Sequence, residues 1–374
     1  MKRVLLFSMV SLASAASVLA ADTLSYRVRQ VGNWAFYGTE NPIVELVASN
    51  PRGVQQPFSL QCLINDSNGK PVFRLGQSGV VQPKDSADVS FSFLTMSPGF
   101  YNAAILEDGT QVRSINLAYE PEKIAPAMYG DAEAGKGDFT LFADRVSLER
   151  RDLQPQFSIL KNKDLSGREK NVYDFRMVSR GDEEVTGYMA FPRGKKGLAV
   201  MVTFIMAGEG ASNPLADFTA PADMAELVVY LRGRGTGEEY LRNLLTDMAL
   251  SIDFVAGRGE TDLSRIFTQG SGLAGACSFL AGALDGRVAV SFAADPLFGP
   301  FTEYFSVESI SSGVKNSILL GMGLQEEASV LHENFCIYNT LQGNKEYFIY
   351  PCRKTVERKQ WRYIRDTFLA RRGK

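Results

Sequence analysis

From Asp22 to about Ala118 apolar and polar residues alternate in short runs. Val89-Ser90-Phe91-Ser92-Phe93 and the set Phe58, Leu60, Cys62, Ile64 each put apolar side chains on one face of an extended chain. Turn-forming clusters interrupt these runs at near-regular spacing: Asn41-Pro42, Asn50-Pro51, Ser67-Asn68-Gly69, Ser97-Pro98-Gly99 and Glu107-Asp108-Gly109-Thr110. Short alternating strands with frequent turns predict an all-β immunoglobulin-like sandwich over 21–119. Glu120-Pro121-Glu122-Lys123-Ile124-Ala125-Pro126 then reads as the start of a linker over 120–135.

Beyond the linker the period changes. Gly187–Phe191, Leu198–Ile205, Glu226–Leu231, Arg265–Gln269, Ala289–Ala293, Ser317–Gly321 and Glu346–Tyr350 are strand-like. Helical patterns fill several gaps, notably Tyr240–Ala256 and Leu273–Leu284, and a final amphipathic helix runs from about Val356 to Ala370. This alternation predicts a mostly parallel sheet flanked by helices over 136–374. On the last helix Trp361, Ile364 and Phe368 form the expected core face, and Arg358, Arg362 and Arg365 the expected solvated face.

Lys2 and Arg3, the apolar run Val4 to Leu19 and the small residues around Ala20-Ala21 have the form of a secretory leader. The mature protein is expected to begin near Ala21 and to be exported, to a periplasm or beyond the cell, without a membrane anchor. Loss of the leader makes the formal net charge of −2 two units more negative, which argues against a nucleic-acid partner. Of the four cysteines, Cys62 and Cys277 sit in apolar patterns and read as small core residues. A Cys336–Cys352 disulfide is left open by the spacing. No C-x-x-C pair or other metal spacing is present, and no cofactor motif is found.

The segment Thr268-Gln269-Gly270-Ser271-Gly272-Leu273-Ala274-Gly275 has the form of a serine hydrolase nucleophile elbow. Small residues two before and two after the nucleophile let a strand turn sharply into a helix; Gly270 and Ala274 fill those places. The nucleophile position is therefore Gly272. Ser271 is one residue out of register, and its side chain is expected to point away from the pocket.

Around this elbow a set of short segments falls in the order found in acetyl xylan esterases and cephalosporin C deacetylases. They include Tyr173-Asp174-Phe175, Phe191-Pro192-Arg193-Gly194, Met206-Ala207-Gly208-Glu209-Gly210-Ala211, Tyr230-Leu231-Arg232-Gly233-Arg234-Gly235, Asp262-Leu263-Ser264-Arg265-Ile266 and Asp295-Pro296-Leu297-Phe298. From about Asp138 to the C-terminus the chain thus resembles this family. The resemblance implies an α/β-hydrolase domain and, in the family, removal of acetyl groups from sugars by a Ser-His-Asp triad.

Carried over residue by residue, the triad positions fall on Gly272, Glu326 and Thr355, so only the acid keeps usable chemistry. The resemblance also implies backbone oxyanion donors at Glu209 and Leu273, and a pocket-shaping loop with Arg232 and Arg234. The single histidine, His332, stands away from the family's base position, though a rewired Ser271–His332 pair is one way to regain a nucleophile. Arg232 and Arg234 admit two readings, a grip on substrate or pairing with carboxylates beneath the pocket. The carboxylates of Glu209 and Glu326 disfavour an anionic ligand.

Three functions stay in view. The first is a non-catalytic, exported binder of an acetylated sugar, a glycan or a protein partner. The second is a carboxylic ester hydrolase using non-standard residues. The third is a structural subunit, including a homo-oligomer.

Overall fold

A computed structural model describes residues 23–94, 96–125, 136–211, 213–233, 235–352 and 358–372. The expected leader, 1–20, lies outside the described residues. The chain divides into two compact units between Glu120 and Pro121.

The first unit is all-β. Strands β1 (Ser25–Arg29), β3 (Ile43–Ser49) and β6 (Ser86–Ser92) form an antiparallel sheet in the order β1-β3-β6. Strands β2 (Ala35–Phe36), β4 (Gln56–Asn65), β5 (Pro71–Val81), β7 (Gly99–Glu107) and β8 (Thr110–Tyr119) form a second sheet, β2-β8-β7-β4-β5, antiparallel except at β2 and β8. The alternation read from the sequence is an alternation of burial. Val44, Leu46 and Ala48 on β3, and Leu60, Cys62 and Ile64 on β4, are all inside. Between β7 and β8, Asp108 and Gly109 both have positive φ, 49° and 80°. Two such residues are what a tight hairpin turn with the native strand twist requires.

The second unit is built on a nine-stranded sheet in the order β17-β16-β15-β14-β12-β13-β11-β10-β9. Strands β9 (Gln156–Asn162), β10 (Lys170–Val178) and β11 (Glu184–Pro192) are antiparallel to their neighbours. From β12 (Leu198–Met206) through β13 (Ala225–Leu231), β14 (Thr261–Ser271), β15 (Val288–Ala294), β16 (Ser317–Gly323) and β17 (Lys345–Tyr350) every pairing is parallel. The near-continuous apolar run of β12 follows from this, because a parallel strand covered on both faces has no polar side. The helices are α1 (Phe139–Asp152), α2 (Glu238–Ala256), α3 (Leu273–Leu284), the short α4 (Gly299–Thr302) and α5 (Val307–Ser312), α6 (Ala328–Thr340) and α7 (Arg358–Arg372). Among the described residues no helix is long and apolar enough to cross a membrane.

Side-chain parity on β15 shows which helices cover which face. Val290 and Phe292 pack with Phe368 of α7, while Ser291 between them bonds Thr268 at 2.9 Å, a residue that Ser278 of α3 also contacts. Successive strand residues point to opposite faces, so α3 and α7 lie on opposite sides of the sheet. Residues 121–125, read from the sequence as linker, are held in this unit: Asn339 of α6 donates to Pro121 O and Ile124 O at 2.8 and 2.7 Å. Residues 126–135 lie outside the described residues. Cys62 and Cys277 are buried as expected, and no disulfide joins the cysteines among the described residues.

The expected solvated face of α7 needs correction. Trp361, Ile364 and Phe368 do pack on the core, but Arg365 is only 1% exposed. Its guanidinium donates to Gln269 Oε1 at 2.7 Å and Thr219 O at 2.7 Å. Gln269 in turn donates to Thr203 and Thr219, and the fully buried Glu226 accepts from Thr203 Oγ1, Thr219 N and Ala220 N. Burial pushes the Glu226 carboxyl above its ordinary range, against the donors that favour its ionised form. The basic period on α7 was legible, but its reach into a buried polar network depends on partners almost a hundred residues away.

This network fastens α7 to the sheet directly beneath the elbow. Arg365→Leu leaves Gln269 Oε1 and Thr219 O without their donor, and its expected cost is about 2–4 kcal/mol by the usual penalty for orphaned buried acceptors. Urea denaturation measures that cost. Faster amide hydrogen exchange confined to α7 is the accompanying sign, and unchanged exchange would show that α7 is held by its apolar face alone.

Candidate functional site

The site is organised by the turn from β14 into α3. Gly272 stands between them at φ 62° and ψ −131°, a backbone conformation that residues with a Cβ rarely adopt. Its N–H donates to Ala294 O at 3.0 Å, and its carbonyl accepts from Leu297 N at 3.0 Å and from Ala276 N of the helix. Both polar groups of the strained peptide are thus tied down by β15 and the loop after it. The flanking small residues are required for contact: a Cβ on Gly270 would lie 2.2 Å from Ala274 O, and one on Gly275 would lie 2.8 Å from Ala294 O. At Gly272 itself a Cβ would find its nearest neighbour, Leu297 Cδ1, at 3.9 Å. The nucleophile position therefore has space for a side chain and holds none.

Two cavities open beside this turn, and Ser271 and Asp295 contribute to the walls of both. The elbow cavity, about 160 Å³, is lined by Gly272 and Glu326 together with Leu297, Met322, Leu331 and Asn334. The neighbouring cavity, about 240 Å³, lies toward α7 and includes Thr203, Asp217, Gln269, Trp361 and Arg362. Gly272 and Glu326, assigned as nucleophile and acid positions, thus share one cavity. Thr355 and Arg234 lie outside the described residues. Ser271 departs from expectation: instead of turning away, it sits exposed at the wall common to both cavities.

His332 is half-buried on α6 and lines neither cavity. Helix geometry gives the reason. Val330, Asn334 and Leu331 span about 100° of the helix surface, and His332 lies about another 100° beyond Leu331, off the cavity-facing side. The rewired Ser271–His332 pair is not brought together.

Of the two expected oxyanion donors, Leu273 opens α3, whose first amides have no intrahelical acceptor and whose N-cap, Gly272, offers no side-chain bond. Glu209 is a correction. Its N–H closes a turn onto Met206 O at 2.9 Å, and its side chain is exposed outside both cavities. The loop folds back on itself, so the donor faces its own strand rather than the elbow.

Arg232 resolves toward the pairing reading. Its Nε and Nη2 donate to the two carboxylate oxygens of Asp247 at 2.7 and 2.8 Å, and Asp247 is fully buried and also accepts from Ser179 Oγ. Burial opposes the guanidinium charge, but the bonds and charge of Asp247 more than offset it and raise Arg232 above its ordinary value. The residues that sequence reasoning missed are Asp295 and Asn334. Asp295 has positive φ, 42°, and accepts from Gly323 N at 2.6 Å. Asn334 is 1% exposed and donates to Pro296 O at 2.9 Å. A polar residue in the buried stripe of α6 was the only signal for the second.

No protein-family model matches the sequence, and no curated protein sequence matches it significantly. Solved structures do. An acetyl xylan esterase from Paenibacillus sp. R4 superposes with a TM-score of 0.58 at 19% identity, covering 67% of this chain and 98% of that one. Acetyl xylan esterase 1 from Thermoanaerobacterium sp. JW/SL YS485 gives 0.53 at 15% identity, covering 63% and 92%. The chain thus contains an acetyl xylan esterase-like α/β-hydrolase fold.

Two glycines separate the roles of shape and strain. Gly272→Ser adds a side chain where there is room, so its expected cost is the backbone strain alone, about 1–3 kcal/mol. Gly270→Ala forces a carbon into a backbone carbonyl and is expected to cost more than Gly272→Ser in the same urea titration, because α3 itself must move. Equal stabilities for parent and Gly272→Ser would show that the elbow conformation is not held in solution.

Proposed function

We propose that this chain is an exported, non-hydrolytic relative of the acetyl xylan esterases. In this reading an immunoglobulin-like β-sandwich precedes a hydrolase-fold unit that binds an acetylated sugar or similar neutral glycan at the elbow. The observation that carries it is Gly272 itself: the strained elbow conformation and its adjacent cavity are kept, while the attacking side chain is gone. The two neighbours named as acetyl xylan esterases supply the ligand class. Walls bearing Glu326 and Asp295 favour a neutral ligand over an anionic one. The alternative of an active hydrolase has less support, since His332 lines neither cavity among the described residues.

The expected result with purified protein is no labelling by a fluorophosphonate probe, no turnover of small acetate esters above background, and binding of acetylated xylo-oligosaccharides by calorimetry. Stoichiometric labelling at Ser271 would overturn the non-hydrolytic reading, and absence of glycan binding would overturn the ligand. Gly272→Ser combined with Thr355→His restores the two missing members of the inherited triad. Either single change is expected to stay inactive, because the triad acts as a unit. With the Glu209 N–H engaged elsewhere, the double variant is expected to hydrolyse acetate esters detectably but about 10²–10³-fold more slowly than a site with both donors. Steady-state hydrolysis of a chromogenic acetate measures this.

A further inference from the structure

Arg362 stands beside Trp361 on α7, at the wall of the cavity of about 240 Å³ that lies between that helix and the elbow. It is half-buried, and its Nε is shut off from solvent without a hydrogen-bond partner, so the outer Nη groups carry whatever contact the guanidinium makes. Among the described residues no ion pair reaches it, although Asp217 and Asp295 line the same cavity. Arg365, one turn further along, is by contrast fully engaged with Gln269 and Thr219. Arg362 is thus a charge that the fold leaves uncompensated, and a half-buried cation of this kind costs free energy until a partner arrives.

The other walls define what that partner can be. Asp217 is 5% exposed, and its carboxylate already accepts from Ala211 N at 3.1 Å and Tyr230 Oη at 2.8 Å; Asp295 accepts from Gly323 N at 2.6 Å. These two residues act on the cavity through their charge rather than as open acceptors. A simple anion drawn to Arg362 is opposed by two carboxylates, and a simple cation is opposed by Arg362. A zwitterion meets both conditions. Its carboxylate fits the guanidinium fork, and its ammonium lies in the field of the aspartates. Ser271, exposed on the same cavity, offers a hydroxyl oxygen to that ammonium. Phe204, Ile205 and Trp361 add apolar wall. The volume exceeds the roughly 150 Å³ of engineered cavities that take benzene, which leaves room for an amino acid with a branched apolar side chain.

We infer that the cavity toward α7 binds a free apolar α-amino acid, with its carboxylate on Arg362 and its ammonium on Ser271 Oγ in the field of Asp217 and Asp295. This is a second site, independent of the glycan reading of the elbow cavity. Neither Gly272 nor Glu326 takes part in it.

The test uses leucine and two analogues that each lack one charge, N-acetylleucine without the ammonium and leucinamide without the carboxylate. Calorimetry and saturation-transfer NMR on the full chain measure all three. The parent is expected to bind leucine and to hold either analogue about tenfold or more less tightly, the loss usual for a charge-assisted hydrogen bond. Arg362→Gln is expected to weaken leucine and N-acetylleucine by about tenfold or more and leucinamide little. Its thermal midpoint is expected to stay at or above the parent's, because an uncompensated charge has been removed. A midpoint below the parent's would show that the fold does compensate Arg362, and would overturn the assignment. Equal binding of leucine and N-acetylleucine by the parent would mean a carboxylate site blind to the ammonium, as for a peptide C-terminus, and overturns the zwitterion. Undiminished leucine binding by Arg362→Gln overturns the site by placing the amino acid elsewhere, and absence of leucine binding by the parent overturns it outright.

Discussion

The close approach of strand β14, helix α3 and strand β15 at Gly270, Gly272 and Gly275 is the constraint on which the second unit depends. Two of these positions have no room for a methyl group, and the third has a backbone torsion that a side chain resists. Their common effect is to bring the amino end of α3 against the end of β15, where Ala294 O and Leu297 N clasp the Gly272 peptide. The walls of both cavities follow from that clasp, since Ser271 and Asp295 stand on either side of it. A substitution that relaxed the turn would move the helix and both walls together.

This geometry separates scaffold from chemistry. A Cβ at Gly272 would meet only Leu297 Cδ1, at 3.9 Å, so the glycine leaves no core contact unmade there. Gly270, Gly275, Glu226 and Asp247, by contrast, are bound into close contacts or buried hydrogen bonds. Omission of a side chain at such a position costs little stability, while disturbance of the close contacts around it costs much. An elbow without a nucleophile is therefore a stable arrangement, and the strain at φ 62° is carried by glycine at small steric expense.

Polarity at the site is graded by depth. Beneath the elbow, Arg365, Gln269 and Glu226 satisfy one another in a closed network that leaves little for a ligand. At the elbow cavity the walls change character, with Glu326, Asp295 and Asn334 set among the apolar Leu297, Met322 and Leu331.

Much of this molecule was legible along the chain. Periodicity of two marked β4 and β6, alternation of strand and helix marked the parallel sheet, and Gly270 and Ala274 on either side of Gly272 marked the elbow, because each is a property of a few consecutive residues and their backbone sterics. The same local rules placed Leu273 to Leu284 as a helix without a residue's error. They failed where the decisive partner is remote. Arg365 read as solvated until Gln269, 96 positions earlier, received it. The Glu209 amide read as an oxyanion donor until its loop closed on Met206, and Ser271 was expected to turn from a pocket whose wall it helps to form. Asn334 drew no notice because an asparagine on an amphipathic helix gains meaning only when Pro296, 38 positions away, fixes one end of its amide and leaves the other without a partner among the described residues. Sequence determines local backbone geometry through sterics within a turn or two; which polar groups are left over is decided only when the packed chain has assigned a partner to every other.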